Sequence, residues 1–213
     1  MDVIQTIKER RSINFFETGQ EIPDEKLKQL LELSNLAPSS FNLQPWEVVL
    51  VRDPSKKKIL RKCAFNQAKV EDASAVFIIL ANPKAVEQNL SRVMNSWEEL
   101  GYMKPEMRET YSDMIRNLYG SEESVQRKLF AAKNAALFAM NLMTAAKGLG
   151  LDTHPMDGFD EECVKKEFHI PREMLIPMLI AVGTLRHGTT LLPRALRRDL
   201  KEFIKLESYE KPS

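Results

Sequence analysis

Ala37-Pro38-Ser39-Ser40-Phe41-Asn42-Leu43-Gln44-Pro45-Trp46 joins two segments of different periodicity. Its prolines stiffen the chain, and the hydroxyls and amides between them either form an ordinary turn or hydrogen-bond a planar polar ligand. Upstream, Asp24 follows Pro23 and opens a helix that carries Leu27, Leu30 and Leu31 inward. That helix is predicted to stop at Ala37-Pro38, because the residue before proline avoids the helical region. Downstream, residues 46–51 are an apolar run that predicts a strand, and Asp53-Pro54 offers an N-cap and first-turn proline to a short basic helix.

Toward the N-terminus, Val3, Ile4 and Ile7 give a first helix an apolar face, which the charged run 8–11 ends. Toward the C-terminus, residues 75–81 are nearly all apolar, which predicts a strand buried on both faces. The middle is helical. Val86, Leu90, Val93, Trp97 and Leu100 hold one apolar face; beyond Pro105, Met107, Tyr111, Met114 and Leu118 hold another. Residues 121–147 form a long helix rich in alanine, whose small side chains admit a close neighbour in the core or at a dimer contact. After Gly148 and Gly150 come a short strand, a turn over 155–159, a helix from the capping Asp160 through Phe168, a last strand at 175–183 and a basic tail from Leu191. Strands so irregularly spaced do not make repeated βαβ units. The prediction is therefore an α+β fold, a small sheet surrounded by helices, in a single domain spanning 1–213.

Lys and Arg number 31 against 30 Asp and Glu, so no whole-protein field draws in nucleic acid or an anionic membrane, and any anion site must be local. The longest unbroken apolar run, around 175–183, is too short to span a bilayer, and the charged N-terminal segment is unlike a secretory core, so a cytoplasmic location is expected. Cys63 and Cys163, far apart and without CxxC spacing, are expected as separate buried thiols rather than a disulfide. His154, His169 and His187 have neither HxxxH nor HExxH spacing, so no metal is expected. No GxGxxG follows a strand, and no P-loop glycine pattern occurs.

Arg10, Arg11 and Ser12 set two guanidiniums and a hydroxyl where the first helix ends, donors that match phosphate oxygens, although alone the triplet also reads as a solvated helix end. Together with the 37–46 block, Asn66-Gln67, Pro155-Met156-Asp157-Gly158-Phe159, Gly183 and the basic tail, the triplet resembles the motifs of the nitroreductase family in order and approximate spacing. The helical region 83–128 resembles the variable cap of a subgroup of NAD(P)H nitroreductases.

The resemblance implies a small central, mostly antiparallel sheet surrounded by helices, and an intertwined homodimer with FMN at the subunit interface, each FMN held by both chains, with a C-terminal extension, 191–213, that wraps onto the partner. It implies that Arg10, Arg11, Ser12 and Arg197 bind the FMN phosphate, with Arg194 or Arg198 able to substitute in the tail. Pro38, Ser39, Ser40 and Asn42 would touch the flavin of the neighbouring subunit, and Asn66 or Gln67 would bond the polar edge of the ring. Pro155, Met156, Asp157 and Gly158 would cover one flavin face, with a backbone N–H near Asp157 or Gly158 directed at N5. Two positions depart from the family pattern: Asn14 stands where many members place a cation near flavin N1 and O2, which implies a lower potential, and Ala195 stands where the tail often carries Lys.

The activity implied is hydride transfer from NADH or NADPH to the flavin and then, ping-pong, to a small electron-poor acceptor such as a nitroaromatic, quinone, azo compound or unsaturated carbonyl. No side chain is assigned as general acid, base or nucleophile, since the flavin carries the chemistry. Phe41, Trp97, Tyr102 or an aromatic from the 107–119 helix either roofs that pocket or belongs to the core. Two other readings stay open: a module that stores, senses or processes FMN without nicotinamide turnover, and a helical interaction protein in which 10–12 and 39–44 are ordinary surface.

Overall fold

The computed structural model describes residues 2–209; residues 210–213 of the expected tail extension and Met1 of the expected domain lie outside them. In chain order the elements are α1 (Val3–Glu9), α2 (Asp24–Ser34), β1 (Trp46–Val51), α3 (Pro54–Cys63), α4 (Ala68–Asp72), β2 (Ala75–Ala81), α5 (Ala85–Glu99), α6 (Arg108–Tyr119), α7 (Val125–Gly148), β3 (Asp152–Met156), α8 (Glu161–Glu167), β4 (Leu175–Gly183) and α9 (Leu200–Phe203). The fold is α+β. Its four strands lie in the order β1-β2-β4-β3, and each neighbouring pair is antiparallel.

Central β2 is fully buried, as its unbroken apolar run requires. Alternate side chains go to opposite cores. Phe77 and Ile79 meet the face covered by α2, α5 and α7, and Val76 and Ile78 meet the face formed with Cys63, Met156 and Val164. On the first face α7 begins at the N-cap Ser124 and buries Ala131, Ala135, Ala139 and Ala146, side chains small enough for the helix to lie close to the sheet and to α2. By length and hydropathy α7 could span a membrane, yet half of its apolar window is buried within the chain. Arg127, 1% exposed, pairs with Glu87 Oε2 at 2.6 Å and donates to the carbonyls of Pro83 (3.1 Å) and Gly120. One side chain thereby fastens both ends of the helical region built from α5 and α6.

Several boundaries differ from the sequence reading. α2 ends at Ser34, before Ala37-Pro38, and the Ser34 hydroxyl donates back to the Leu30 carbonyl at 2.5 Å. Pro155 and Met156, expected in a turn, instead belong to β3, which is an edge strand and so tolerates a residue without an N–H. α4 and α9 are too short to announce themselves by periodicity. Most consequentially, Cys63 and Cys163, expected as separate thiols, form a disulfide with their Cα atoms 5.5 Å apart. They are 100 residues apart in the chain, but α3 and α8 pack together, and sequence distance sets no limit on such a meeting.

Candidate functional site

The first motif lies along the free edge of β3. Ser12 bridges Thr153 in parallel, and Ile13 N–H donates to the Thr153 carbonyl at 3.0 Å, so residues 12 and 13 continue the sheet by one short rung. This fixes the turn out of α1, whose C-cap is Arg10. The tail returns to the same place. Arg11 donates to the Leu192 carbonyl at 2.7 Å, and Arg194 donates to the carbonyls of Lys8 and, at 3.1 Å, of Arg10. Burial, then the neighbouring charges of Arg194 and Arg197, push the Arg10 guanidinium below its ordinary value. Its Nη1 is buried and has no hydrogen-bond partner among the described residues. Among the described residues none of these four arginines is ion-paired with a carboxylate. Cations drawn together with an orphaned donor and no counter-charge make a site for an anion, and a phosphate supplies the acceptors. Arg197 is exposed and, among the described residues, donates to the nearby carbonyls of Ala195 and Leu196, at 3.1 and 3.3 Å.

Beside this cluster stands a cation that sequence reasoning missed. Lys69 Nζ donates to Asn14 Oδ1 at 2.9 Å, and burial lowers its pKa. The charge at Lys69 reinforces the burial that takes His154 down to about 4, so His154 is neutral near pH 7 and its Nδ1–H donates to the Ile13 carbonyl at 3.0 Å. Lys69 thus meets Asn14, where the family pattern places a cation. Its only signal in the sequence is a lysine three residues, about one helical turn, after Asn66.

Next to it, two loops are fastened together. Gln67 Nε2 donates to the carbonyls of Ala64 (3.1 Å) and Gly158 (2.7 Å), and Asp160 N–H donates to the Cys63 carbonyl at 2.8 Å. The Gln67 amide is thereby engaged within the chain. Asn66, at φ 58°, is exposed, and among the described residues its side chain has no hydrogen-bond partner. Asp157 and Gly158 are also exposed, whereas Met156 is 4% exposed and packs into the core beneath them.

Pro38, Ser39, Ser40 and Asn42 do not join this group. Their segment packs on the opposite core, through Ala37, Phe41 and Leu43. Phe41, Asn42 and Gln44 all hold left-handed φ values of 52°, 54° and 44°, a backbone that side chains other than glycine adopt at a cost. Three contacts hold it: Ser40 N–H donates to Asn134 Oδ1 (3.0 Å), Gln44 N–H donates to Ser39 Oγ (3.0 Å), and Asn89 Nδ2 donates to the Leu43 carbonyl (2.9 Å). Asn134, buried in α7, is a second residue missed in the sequence, hidden in what reads as a run of core positions. Phe41 contacts Trp97 and Tyr119 at ring separations of 6.3 and 6.2 Å, and Trp97 contacts Tyr111, so these aromatics are mutual core partners. Tyr102 is 76% exposed.

A sequence model of the nitroreductase family matches residues 7–184, and the chain belongs to that family. A Bacillus subtilis (strain 168) protein provisionally named NAD(P)H nitroreductase YodC is 35% identical over 182 residues, 85% of this chain and 89% of the relative. A Thermus thermophilus protein named NADH dehydrogenase is 32% identical over 86% of each chain. Among solved structures, a provisional nitroreductase in complex with FMN from Exiguobacterium sibiricum 255-15 superposes with a TM-score of 0.83 at 28% identity, over 96% of this chain and 97% of that one.

Proposed function

We propose that the protein is an FMN-dependent oxidoreductase that takes hydride from NADH or NADPH and reduces small electron-poor organic molecules, such as nitroaromatics or quinones, in a ping-pong cycle. The observation that carries this reading is the Arg10 cluster: Arg10, partly desolvated, with the charges of Arg194 and Arg197 beside it, a buried Nη1 and, among the described residues, neither a hydrogen-bond partner for that Nη1 nor an ion pair to a carboxylate. Arg10, Arg11, Ser12 and Arg194, with Arg197 swinging in from solvent, hold the phosphate. Lys69 takes the place that Asn14 leaves without a charge and favours negative charge on the pyrimidine side of the ring. Asn66 bonds the polar edge, because Gln67 is engaged in holding Gly158. The 155–158 segment would cover one face of the ring, with a backbone N–H at Asp157 or Gly158 available to hydrogen-bond it. FMN, when bound, supplies the group that accepts and releases the hydride. The chain's residues hold and orient it and exclude water.

The chain is read as one domain over 1–213, with 83–128 as its cap. It works as a homodimer, with each site completed by Pro38, Ser39, Ser40 and Asn42 from the neighbouring subunit and by the tail 191–213 laid onto the partner. What supports the dimer is that 38–42 and the Arg10 group lie with opposite cores of one chain, so a single copy does not close one site from both sets. The supply of NAD(P)H makes the cytoplasm the setting of this reading. The test is steady NADH or NADPH oxidation by flavin-loaded protein with a quinone acceptor. Turnover well above that of free FMN is expected; flavin-loaded protein that gives no turnover with either nucleotide would leave a flavin-binding module instead.

A further inference from the structure

The disulfide lies where the two ring-side loops meet. Cys63 closes α3 and is 2% exposed, while Cys163 is half-buried in the first turn of α8. Around the bond run the Asp160 N–H to Cys63 carbonyl contact and the Gln67 bridge from Ala64 to Gly158. Covalently, then, the pair ties 64–67 to 157–160; otherwise these loops share hydrogen bonds of which the Gln67 to Gly158 bond is exposed to water. Phe65 and Asn66 both hold left-handed φ values, 53° and 58°, a conformation that persists only where the surroundings enforce it. Releasing one constraint here frees the neighbours of Asn66 and Gly158 together.

We propose that Cys63 and Cys163 form a reversible thiol–disulfide site whose state sets how rigidly 64–67 and 157–160 are held, and through them how tightly the flavin is bound. This rests on the flavin reading above. A thiolate of a small dithiol or of a dithiol protein attacks Sγ of the more accessible Cys163, the S–S bond breaks, and the Cys63 sulfur leaves as a thiolate and is protonated. The donor's second thiol then resolves the mixed disulfide and frees Cys163. Two electrons and two protons pass to the protein, and the donor becomes a disulfide. A disulfide oxidant reverses the exchange. In a reducing compartment a disulfide persists only if it cycles or resists reduction, and a half-buried sulfur at a loop junction favours cycling.

The experiment treats holo-protein anaerobically with dithiothreitol, without denaturant, and counts thiols. The FMN dissociation constant and the hydrogen exchange of 64–67 and 157–160 are then compared between the oxidised protein, the reduced protein and a Cys63→Ala/Cys163→Ala variant. The reduced protein should expose both thiols, bind FMN about five- to tenfold more weakly and exchange faster in those two segments. The double variant should match it and ignore dithiothreitol. Unchanged affinity with unchanged exchange after reduction, or thiols released only in denaturant, overturns the proposal, and the reduced wild-type decides even if the variant fails to fold. If neither redox state binds FMN, the flavin reading fails by itself, while exchange of the two loops still decides whether the pair controls them.

Discussion

Arg10 holds a guanidinium partly withdrawn from water, faces Arg194 and Arg197, and leaves Nη1 without a partner. Such a group destabilises the fold through mutual repulsion and desolvation and favours an anion. Arg10→Ala should therefore weaken FMN binding about thirtyfold, the ~2 kcal/mol of a charge-assisted hydrogen bond, as read by calorimetric titration of apo-protein. The apo-protein's melting temperature should hold or rise, because mutual repulsion is removed. His154 makes a separate prediction. The unfolded chain takes up its proton near the ordinary 6.5, whereas the folded chain resists until about 4, so stability falls as pH drops through that interval. Thermal melts between pH 7 and 4 should show the loss, and His154→Asn should flatten it. Of these residues the sequence makes Arg10 to Ser12 legible, as adjacent donors after a helix. Lys69 and His154 acquire their roles only because α4 and β3 come to lie beside residues 13 and 14, and no local pattern encodes that.

At the scale of elements, the buried β2 run, the apolar faces of α5 and α6 and the alanine-rich α7 are legible because burial imposes a period on the chain. The cuts between them are less so. β3 absorbs Pro155 and Met156 because edge strands accept proline, and α2 stops short of the proline that should end it. The 37–46 segment is legible as punctuation, but its anchor is the buried Asn134. Asn134→Leu strands the Ser40 N–H, so it should cost about 1–3 kcal/mol in urea unfolding and weaken FMN binding by loosening Ser39 to Asn42. Arg127 is the corresponding pin for the helical region. Arg127→Met leaves the carbonyls of Pro83 and Gly120 without their donor and should cost about 3 kcal/mol, with hydrogen exchange rising first in α5 and α6.

At the scale of the whole molecule, the apolar face of α1 that the sequence predicts stands exposed among the described residues. Val3, Ile4 and Ile7 are 64%, 63% and 59% exposed. Val3 shares a groove with Leu33, Leu36 and Ala145, and Leu129, Leu137 and Met140 stand exposed on α7. A patch of this kind calls for a partner surface, and the proposed dimer would supply one, with Pro38 to Asn42 of each copy completing the other copy's site. Sedimentation should find a dimer, and Ile7→Glu combined with Leu137→Glu should give a monomer that has lost its flavin. The disulfide is invisible at this scale in the sequence, since Cys63 and Cys163 meet only through the packing of α3 on α8. The proposed function stands or falls with a flavin that a nicotinamide nucleotide reduces. Its most direct test is the visible absorption spectrum of the freshly purified protein, recorded anaerobically before and after NADH or NADPH is added. Bands of oxidised flavin that the nucleotide bleaches are expected; a protein that remains colourless even after reconstitution with FMN would rule the proposed function out.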